Sequence, residues 1–361
     1  MKKEAELFIQ AVQKYKVLAI FIPGSPDPDA IASAYAIKLI LNYYSIESAI
    51  YAEKKLSLPQ NQLLIDKLKI PVNFGEDINI KKYEAYIVPD FQNNRVDVIG
   101  DSIPCAVHID HHARSSDARK ADYSLLRDDV GSTSTMVSLI MKELALELPS
   151  EEMTSVATAL MFGIQTDTDK YEHINPLDVE ALSFLSAFAD QSFLENINNL
   201  PPTPEMLLFY NKGIGNEVVY KDWGLYGIGF VDSKNRDSIA LAADMILKNR
   251  NHSLVAVFAV IDNLRKGEMY LDVSLRSSSS SVDLNRIIKR ITPNGGGRQY
   301  KGAYQVKLDY FLNTPERELL WKLVEATTID TFQRNRDTYY KAGIENIYES
   351  IKEKVINLIK K

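Results

Sequence analysis

Cysteine is almost absent from this chain of 361 residues, which has a single one at position 105. One cysteine cannot form an intramolecular disulfide, so we exclude a disulfide-stabilised secreted domain and expect a reducing, cytoplasmic location. The chain also lacks an apolar run long enough to cross a membrane, and its start is amphipathic rather than signal-like. We therefore expect no membrane partner.

An excess of positive charge is missing as well. The chain has 42 Lys and Arg against 48 Asp and Glu, a net charge of −6. Such a surface does not attract long nucleic acids, so a nucleic-acid substrate should be short and held in a local basic pocket. The content of 45% hydrophobic and 25% charged residues is typical of a soluble globular protein, and the length suffices for two domains.

Strands and helices alternate over the first half of the chain. The run Val17–Ile22 is apolar, short and followed by Pro23-Gly24, which is typical of a strand buried on both faces. Similar patterns predict further strands at 48–51, 85–88 and 105–109, and helices at 4–15, 30–44, 60–68, 133–146 and 150–163. This alternation predicts an α/β fold with a doubly wound, mainly parallel sheet.

The pattern changes after residue 195, where a turn-rich stretch at 198–204 predicts a connection between domains. Strands predicted at 225–231, 253–261 and 269–275, with helices near 238–249 and 282–290, indicate a smaller mixed-sheet α/β domain. The glycine run 295–297 is expected to be a loop that interrupts it. The predicted boundaries are a first domain at 1–195, a linker at 196–220, a second domain at 221–311 and a helical tail at 312–361.

Acidic residues follow several of the apolar runs. Asp27 and Asp29 come after the first strand, Asp90 after the third, and Asp110-His111-His112 after the fourth, while Asp167 lies farther on. Open α/β sheets bind ligands at the carboxyl ends of their strands. Carboxylates with one or two imidazoles are ligands of Mn²⁺ or Mg²⁺, and a pair of such ions about 3.5–4 Å apart hydrolyses phosphate esters. A simpler role for Asp27 and Asp29 is to cap a helix.

The chain resembles the DHH phosphoesterase superfamily, and within it the two-domain group of nanoRNase/pAp-phosphatase-like and cyclic-dinucleotide phosphodiesterase-like proteins. The resemblance covers roughly residues 15–310. Its six motifs, in the order of the family, are 25–34, the strand end at Asp90, 109–112, 163–168, 274–277 and the glycine run 295–297.

The resemblance implies a role for each motif. The implied metal ligands, for two Mn²⁺ ions or for Mg²⁺, are Asp27, Asp29, Asp90, His111 and Asp167, with Asp90 bridging the ions. His112 would face the scissile phosphate as a catalytic residue, and Asp110 would orient a neighbouring histidine. The implied substrate-binding residues of the second domain are Arg276, Gly295, Gly296, Gly297 and Arg298. The first domain would then be the catalytic metal-binding domain, and the second a DHH-associated substrate-binding domain, with the active site in the cleft between them.

Two departures from the family pattern keep alternatives open. Pro23 stands where many members of the family have a histidine. Arg298 follows the glycine run at a position where the family usually has a histidine as well. The expected activity is hydrolysis of a small nucleotide: a short oligoribonucleotide, pAp or a cyclic dinucleotide. The alternative is a nucleotide-binding or regulatory protein with a degenerate site and little turnover. A homodimer is compatible with the sequence, and the helical tail also suits an assembly component.

Overall fold

The computed structural model describes residues 1–56, 58–75, 78–112, 118–263, 267–293, 295–297 and 299–359, with side chains described up to Tyr339. The chain divides into two compact units, Met1–Leu200 (unit 1) and Pro201–Lys361 (unit 2). Within the described residues, no helix is long and apolar enough to cross a membrane.

Unit 1 contains a parallel six-stranded sheet. Its strands are β1 (Val17–Ile22), β2 (Glu47–Ala52), β3 (Val72–Phe74), β4 (Ala85–Pro89), β5 (Cys105–Asp110) and β6 (Tyr123–Leu126). Its helices are α1 (Lys2–Val12), α2 (Pro28–Tyr43), α3 (Pro59–Leu68), α4 (Thr133–Leu144), α5 (Ser150–Asp167), α6 (Pro176–Leu185) and α7 (Gln191–Asn198). The strand order is β3-β2-β1-β4-β5-β6, and every pairing is parallel.

This strand order confirms the predicted α/β fold with a doubly wound parallel sheet. Leu18, Ile20 and Ile22 of β1 pack into the core that the helices share, whereas Ala19 and Phe21 belong to a second core on the opposite face. Burial on both faces explains why β1 is apolar throughout rather than alternating. The order reverses between β1 and β4, and sheets of this type form a ligand crevice at that point.

Four elements of unit 1 have no counterpart in the sequence prediction: β3, β6, α6 and α7. The two strands have only three and four residues, and partly exposed positions interrupt their apolar pattern. Helix α5 also continues four residues beyond the predicted end at Gly163. That extension places Asp167 on the last turn of the helix.

Unit 2 contains a mixed six-stranded sheet and a long C-terminal helix. Its strands are β7 (Glu217–Tyr220), β8 (Trp223–Asp232), β9 (Leu254–Asn263), β10 (Glu268–Ser277), β11 (Gly295–Gly297) and β12 (Lys301–Lys307). Its helices are α8 (Pro204–Gly215), α9 (Asp237–Asn249), α10 (Leu284–Ile291) and α11 (Arg317–Ile359). The order is β11-β12-β10-β9-β8-β7, in which β8 and β9 pair in parallel and the other neighbours are antiparallel.

The segment 196–220, which the sequence analysis assigns to a linker, contains helix α8. The Thr203 side chain caps this helix by accepting a hydrogen bond from the Met206 N–H at 3.2 Å. Phe209 is buried in the core of unit 2, and Gly213 packs closely against Ile246. The prolines that suggest a linker instead precede and begin a helix, because proline suits the first helical position.

The glycine run is an edge strand rather than the loop predicted from the sequence. Gly295 pairs with Tyr304 and Gly297 with Gly302, in the antiparallel register of β11 and β12. A Cβ atom on Gly295 would lie 2.8 Å from Ile288 Cγ2 and collide with the Tyr304 side chain. Close packing between β11, β12 and α10 therefore requires glycine at position 295.

Gly295→Ala should lower the free energy of unfolding of unit 2 by about 1–3 kcal/mol, the usual effect of overpacking. Gly296→Ala is the matched control, because the nearest atom to its added Cβ is Asn285 Oδ1 at 3.8 Å. We expect the control to change stability by less than about 0.5 kcal/mol. Urea unfolding followed by tryptophan fluorescence measures this directly, since both tryptophans, Trp223 and Trp321, lie in unit 2. Equal losses in the two variants would contradict the packing explanation.

Candidate metal centre

The candidate site lies at the carboxyl ends of three adjacent strands of unit 1. Asp27 and Asp29 follow β1, Asp90 follows β4, and Asp110 is the last residue of β5. His111 and His112 come directly after Asp110, and Asp167 ends helix α5. Residues that are far apart in the sequence thus meet where the strand order reverses.

His111 is at the centre of this cluster. Its Nε2 atom lies 3.1 Å from Asp167 Oδ2, 3.4 Å from Asp90 Oδ1 and 3.7 Å from Asp29 Oδ2. The ring is buried, as are Asp29 and Asp90. Two overlapping sets of possible metal ligands result: Asp29, His111 and Asp167, and Asp90, His111 and His112.

Asp29 is held by the N-terminus of helix α4. Its two carboxylate oxygens accept hydrogen bonds from the backbone N–H groups of Thr133 at 2.8 Å and Ser134 at 2.7 Å. Ser132 caps the same helix by accepting a hydrogen bond from the Thr135 N–H at 3.0 Å. A helix N-terminus has unpaired N–H groups and a partial positive charge, so it stabilises an anion there.

Asp90 is fixed both by its side chain and by its backbone. The Thr133 hydroxyl donates a hydrogen bond to Asp90 Oδ1 at 3.0 Å. The backbone of Asp90 has a φ of 55°, in the left-handed region that aspartate tolerates better than most residues. Three consecutive residues just after Asp167, namely Asp169, Lys170 and Tyr171, also have positive φ values. Backbone strain of this kind concentrates at functional sites.

The buried carboxylates repel one another. The pKa of Asp29 is raised mainly by burial and next by the charge of Asp167. The pKa of Asp90 is raised mainly by burial and next by the charges of Asp29 and Asp27. Within the described residues, neither Asp29 nor Asp90 forms an ion pair with a lysine or arginine. A divalent cation would offset this charge, and oxygen-rich ligands with an imidazole suit Mn²⁺ or Mg²⁺. The residues present therefore fit a metal centre.

Asp110 forms a hydrogen bond with His112. Its Oδ1 atom lies 2.8 Å from His112 Nδ1 and accepts a hydrogen bond from it. Although burial opposes its ionisation, this hydrogen bond and the charges of both histidines lower the pKa of Asp110. An ionised Asp110 fixes the ring of His112 and places Nε2 on its opposite edge.

Asp27 has two roles at once. Its side chain caps helix α2 by accepting a hydrogen bond from the Ala30 N–H at 2.9 Å, as the helix-cap alternative predicted. Its charge also acts on Asp90, whose pKa it raises. Each carboxylate oxygen has two lone pairs, so capping leaves Asp27 able to act as a metal ligand as well.

The predicted substrate-binding residues lie in unit 2. Arg276 is buried and its Nε atom lies 2.5 Å from Asp244 Oδ1, while its other nitrogens donate to the carbonyl groups of Leu275 and Ala240. The three glycines form β11, and Arg298 lies outside the described residues. The role of these residues in substrate binding stays a prediction.

Two residues that hold the site carboxylates, Thr133 and Ser134, have no counterpart in the sequence prediction. Thr133 and Ser134 follow Gly131-Ser132, a recognisable N-cap signal, but nothing local indicates that the helix would bind a distant aspartate. A Cβ atom on Gly163 would lie 3.1 Å from Asp29 Cα and 3.3 Å from Pro28 O. Glycine there lets helix α5 approach α2 closely enough to place Asp167 at the site.

Comparison with known proteins finds a family match for the first part of the chain and two relatives of most of it. Residues 18–164 match the model of the DHH family, N-terminal domain. The chain is 30% identical over 323 residues to the uncharacterized protein MJ1633 of Methanocaldococcus jannaschii, covering 87% of this chain and 63% of that protein. It is 28% identical over 305 residues to MJ0988 of the same organism, covering 78% and 85% of the two chains. The chain thus spans less than two thirds of the length of MJ1633.

The fold is also similar to a solved structure. An exopolyphosphatase-related protein from Bacteroides fragilis superposes with a TM-score of 0.65 over 94% of this chain and 97% of that one. The sequence identity of 16% means that this likeness concerns the fold alone.

The charge repulsion predicts that Asp90→Asn stabilises the metal-free protein, by about 0.5–2 kcal/mol. Asparagine suits the same backbone conformation and can still accept the hydrogen bond from Thr133. The pKa of Asp90 is raised in the folded state, so above about pH 4 the folded protein binds protons more tightly than the unfolded chain. The stability of the metal-free wild type should therefore fall as the pH rises, and the advantage of Asp90→Asn should grow.

Urea unfolding in EDTA at pH 5 and pH 8, followed by circular dichroism, measures both effects. Asp66→Asn is the matched control, because Asp66 is exposed and its side chain accepts a hydrogen bond only from Gln62 among the described residues. We expect no more than about 0.5 kcal/mol of change in this control. An Asp90→Asn variant that is less stable than wild type at pH 8 would refute the repulsion argument.

Proposed function

We propose that the chain, whose residues 18–164 match the DHH family model, is a DHH-type metal-dependent phosphoesterase acting on a small nucleotide. The candidate substrates are a short oligoribonucleotide, a 3′-phosphorylated nucleotide such as pAp, and a cyclic dinucleotide. The observation that carries the proposal is the buried cluster around His111, in which three carboxylates lie within 3.7 Å of one imidazole nitrogen. The net charge of −6 favours a short substrate over a long polyanion.

We assign the metal-ligand role to Asp27, Asp29, Asp90, His111 and Asp167, for two Mn²⁺ ions or for Mg²⁺. Bound there, the ions would polarise the phosphate and lower the pKa of an attacking water molecule. Asp90 is the candidate bridging ligand, as the family resemblance implies, and its Oδ1 atom lies 3.4 Å from His111 Nε2. The left-handed backbone of Asp90 and its bond to Thr133 fix this carboxylate in place.

His112 is the candidate residue for proton transfer to the substrate. Its ring is partly exposed, and Asp110 accepts the hydrogen bond from Nδ1, which fixes the ring and leaves Nε2 on the opposite edge. A ring held in this way can donate a hydrogen bond to a phosphate oxygen through Nε2. Arg276 and Arg298 of unit 2 are the candidate residues for the substrate's other end, as the family resemblance implies.

A second candidate function is nucleotide binding with little turnover. Pro23 favours it, because proline replaces a histidine that many members of the family have at this position. The presence of Asp29, Asp90 and Asp167 around His111 favours the enzyme.

We expect the protein to hydrolyse pAp, a dinucleotide or a cyclic dinucleotide in preference to inorganic pyrophosphate, and to require Mn²⁺ or Mg²⁺. Asp167→Asn should lower kcat/KM by about 100-fold or more, because it removes the negative charge of a metal ligand. Asp66→Asn makes the same change on the exposed surface and should leave the rate unaltered. Colorimetric phosphate release and chromatography of the products measure these rates. Tight Mn²⁺ and nucleotide binding without hydrolysis of any substrate would decide for the second candidate function.

A further inference from the structure

Asp178, in the first turn of helix α6, is a fully buried acidic residue outside the predicted site. Its carboxyl oxygens accept hydrogen bonds from the Thr135 hydroxyl at 2.6 Å, the Gly131 N–H at 3.0 Å and the Asn175 N–H at 2.9 Å. Within the described part of the chain, no lysine, arginine or histidine forms an ion pair with it. Three hydrogen-bond donors therefore take the place of a cation around a buried carboxyl group.

Two of these donors lie on either side of the residues that bind the site carboxylates. Gly131 and Thr135 flank Thr133 and Ser134 in the sequence. The N–H groups of Thr133 and Ser134 donate to Asp29, and the Thr133 hydroxyl donates to Asp90. The same segment packs against the end of α5, since a Cβ atom on Gly131 would lie 2.5 Å from Thr168 Cγ2. Asp178 thus fixes both ends of the turn that enters α4.

A purely local role for Asp178 would need only one of these hydrogen bonds. Asn175 and Asp178 form a capping box at the start of α6, in which Asp178 accepts from the Asn175 N–H. The hydrogen bonds from Gly131 and Thr135 come from a segment more than 40 residues earlier in the chain and add nothing to the start of α6. They connect α6 to the entry of α4.

We propose that Asp178 is a positioning residue of the metal centre, which sets the N-terminus of α4 so that Thr133 and Ser134 hold Asp29 and Asp90 in place. The proposal rests on the metal-dependent function proposed above. Residues that orient metal ligands commonly contribute about 10- to 100-fold to metal affinity. Asp178 acts through one further set of hydrogen bonds, so we expect a contribution near the lower limit.

Three variants of the full chain separate this role from simple stabilisation of α6. Asp178→Asn keeps the shape of the side chain but removes its negative charge, which weakens the charge-assisted hydrogen bonds from Gly131 and Thr135, and its NH₂ group can no longer accept. Thr135→Val removes the hydroxyl that donates to Asp178 and that also lies 3.1 Å from the Ser132 hydroxyl, and it leaves α6 intact. Asn175→Ala is the control, because it removes the side-chain cap of α6 and leaves Gly131 and Thr135 bound to Asp178.

Isothermal titration of Mn²⁺ into the metal-free variants, at a temperature where circular dichroism shows all of them folded, gives the decisive measurement. We expect Asp178→Asn and Thr135→Val to raise the Mn²⁺ dissociation constant about tenfold. Asn175→Ala should lower the melting temperature and leave the dissociation constant within about twofold of wild type. In steady-state assays, the Mn²⁺ concentration for half-maximal rate should rise in the first two variants, with KM for the nucleotide unchanged.

Wild-type Mn²⁺ affinity in both Asp178→Asn and Thr135→Val would overturn the positioning role. Equal weakening in Asn175→Ala would also overturn it, because α6 stability alone would then explain the effect. If Asp178→Asn does not fold, Thr135→Val decides the question by itself. A wild-type protein that binds no Mn²⁺ would instead refute the proposed function, and this proposal with it.

Discussion

Two hydrogen bonds from the first turn of α4 to the Asp29 carboxylate hold together a site whose own charges oppose its formation. Asp29, Asp90 and Asp167 all lie within 3.7 Å of one imidazole nitrogen, and the charge of Asp167 raises the pKa of both Asp29 and Asp90 beyond the effect of burial. The N–H groups of Thr133 and Ser134 would lack partners within the helix. Binding Asp29 satisfies these donors and stabilises a buried negative charge, so one contact meets two requirements of the fold.

The site also requires helices α5 and α2 to approach each other closely. Helix α5 reaches the cluster because Gly163 lets it pack against the first turn of α2, where a Cβ atom would meet Asp29 Cα at 3.1 Å. The helix then ends at Asp167, and the chain leaves through three left-handed residues, Asp169 to Tyr171. Left-handed backbone costs about 1–2 kcal/mol for each non-glycine residue. The packing of α5 against its neighbours must offset that cost for Asp167 to stay beside His111.

The sequence predicts the parts of the molecule that local patterns encode. Periodicity was enough for β1, β4, β5 and most helices of unit 1, and the acidic residues that follow the strands indicated where the site would lie. What holds the carboxylates in place could not be predicted in this way, because Thr133 and Ser134 lie more than 100 residues from Asp29. Asp178 looks like an ordinary residue in the first turn of a helix. The glycine run predicts a loop from its sequence alone. Glycine is found both where the backbone needs conformational freedom and where neighbouring atoms leave no room for a side chain, and the sequence does not distinguish the two.

Opposing influences act on the pKa of Asp29, and they would determine how protons compete with a metal ion at the proposed site. Burial and the charge of Asp167 raise the pKa of Asp29, whereas the charge of His111 and the hydrogen bonds from Ser134 lower it. A carboxylate must be deprotonated to bind a metal ion, so metal affinity falls wherever a proton competes for the ligand. The α4 N-terminus shifts this competition toward the ionised form and orients both oxygens of Asp29 before an ion arrives. Neutral donors accomplish this without adding a cation that would repel the metal, which gives a physical reason why helix N–H groups and a threonine hydroxyl surround these carboxylates.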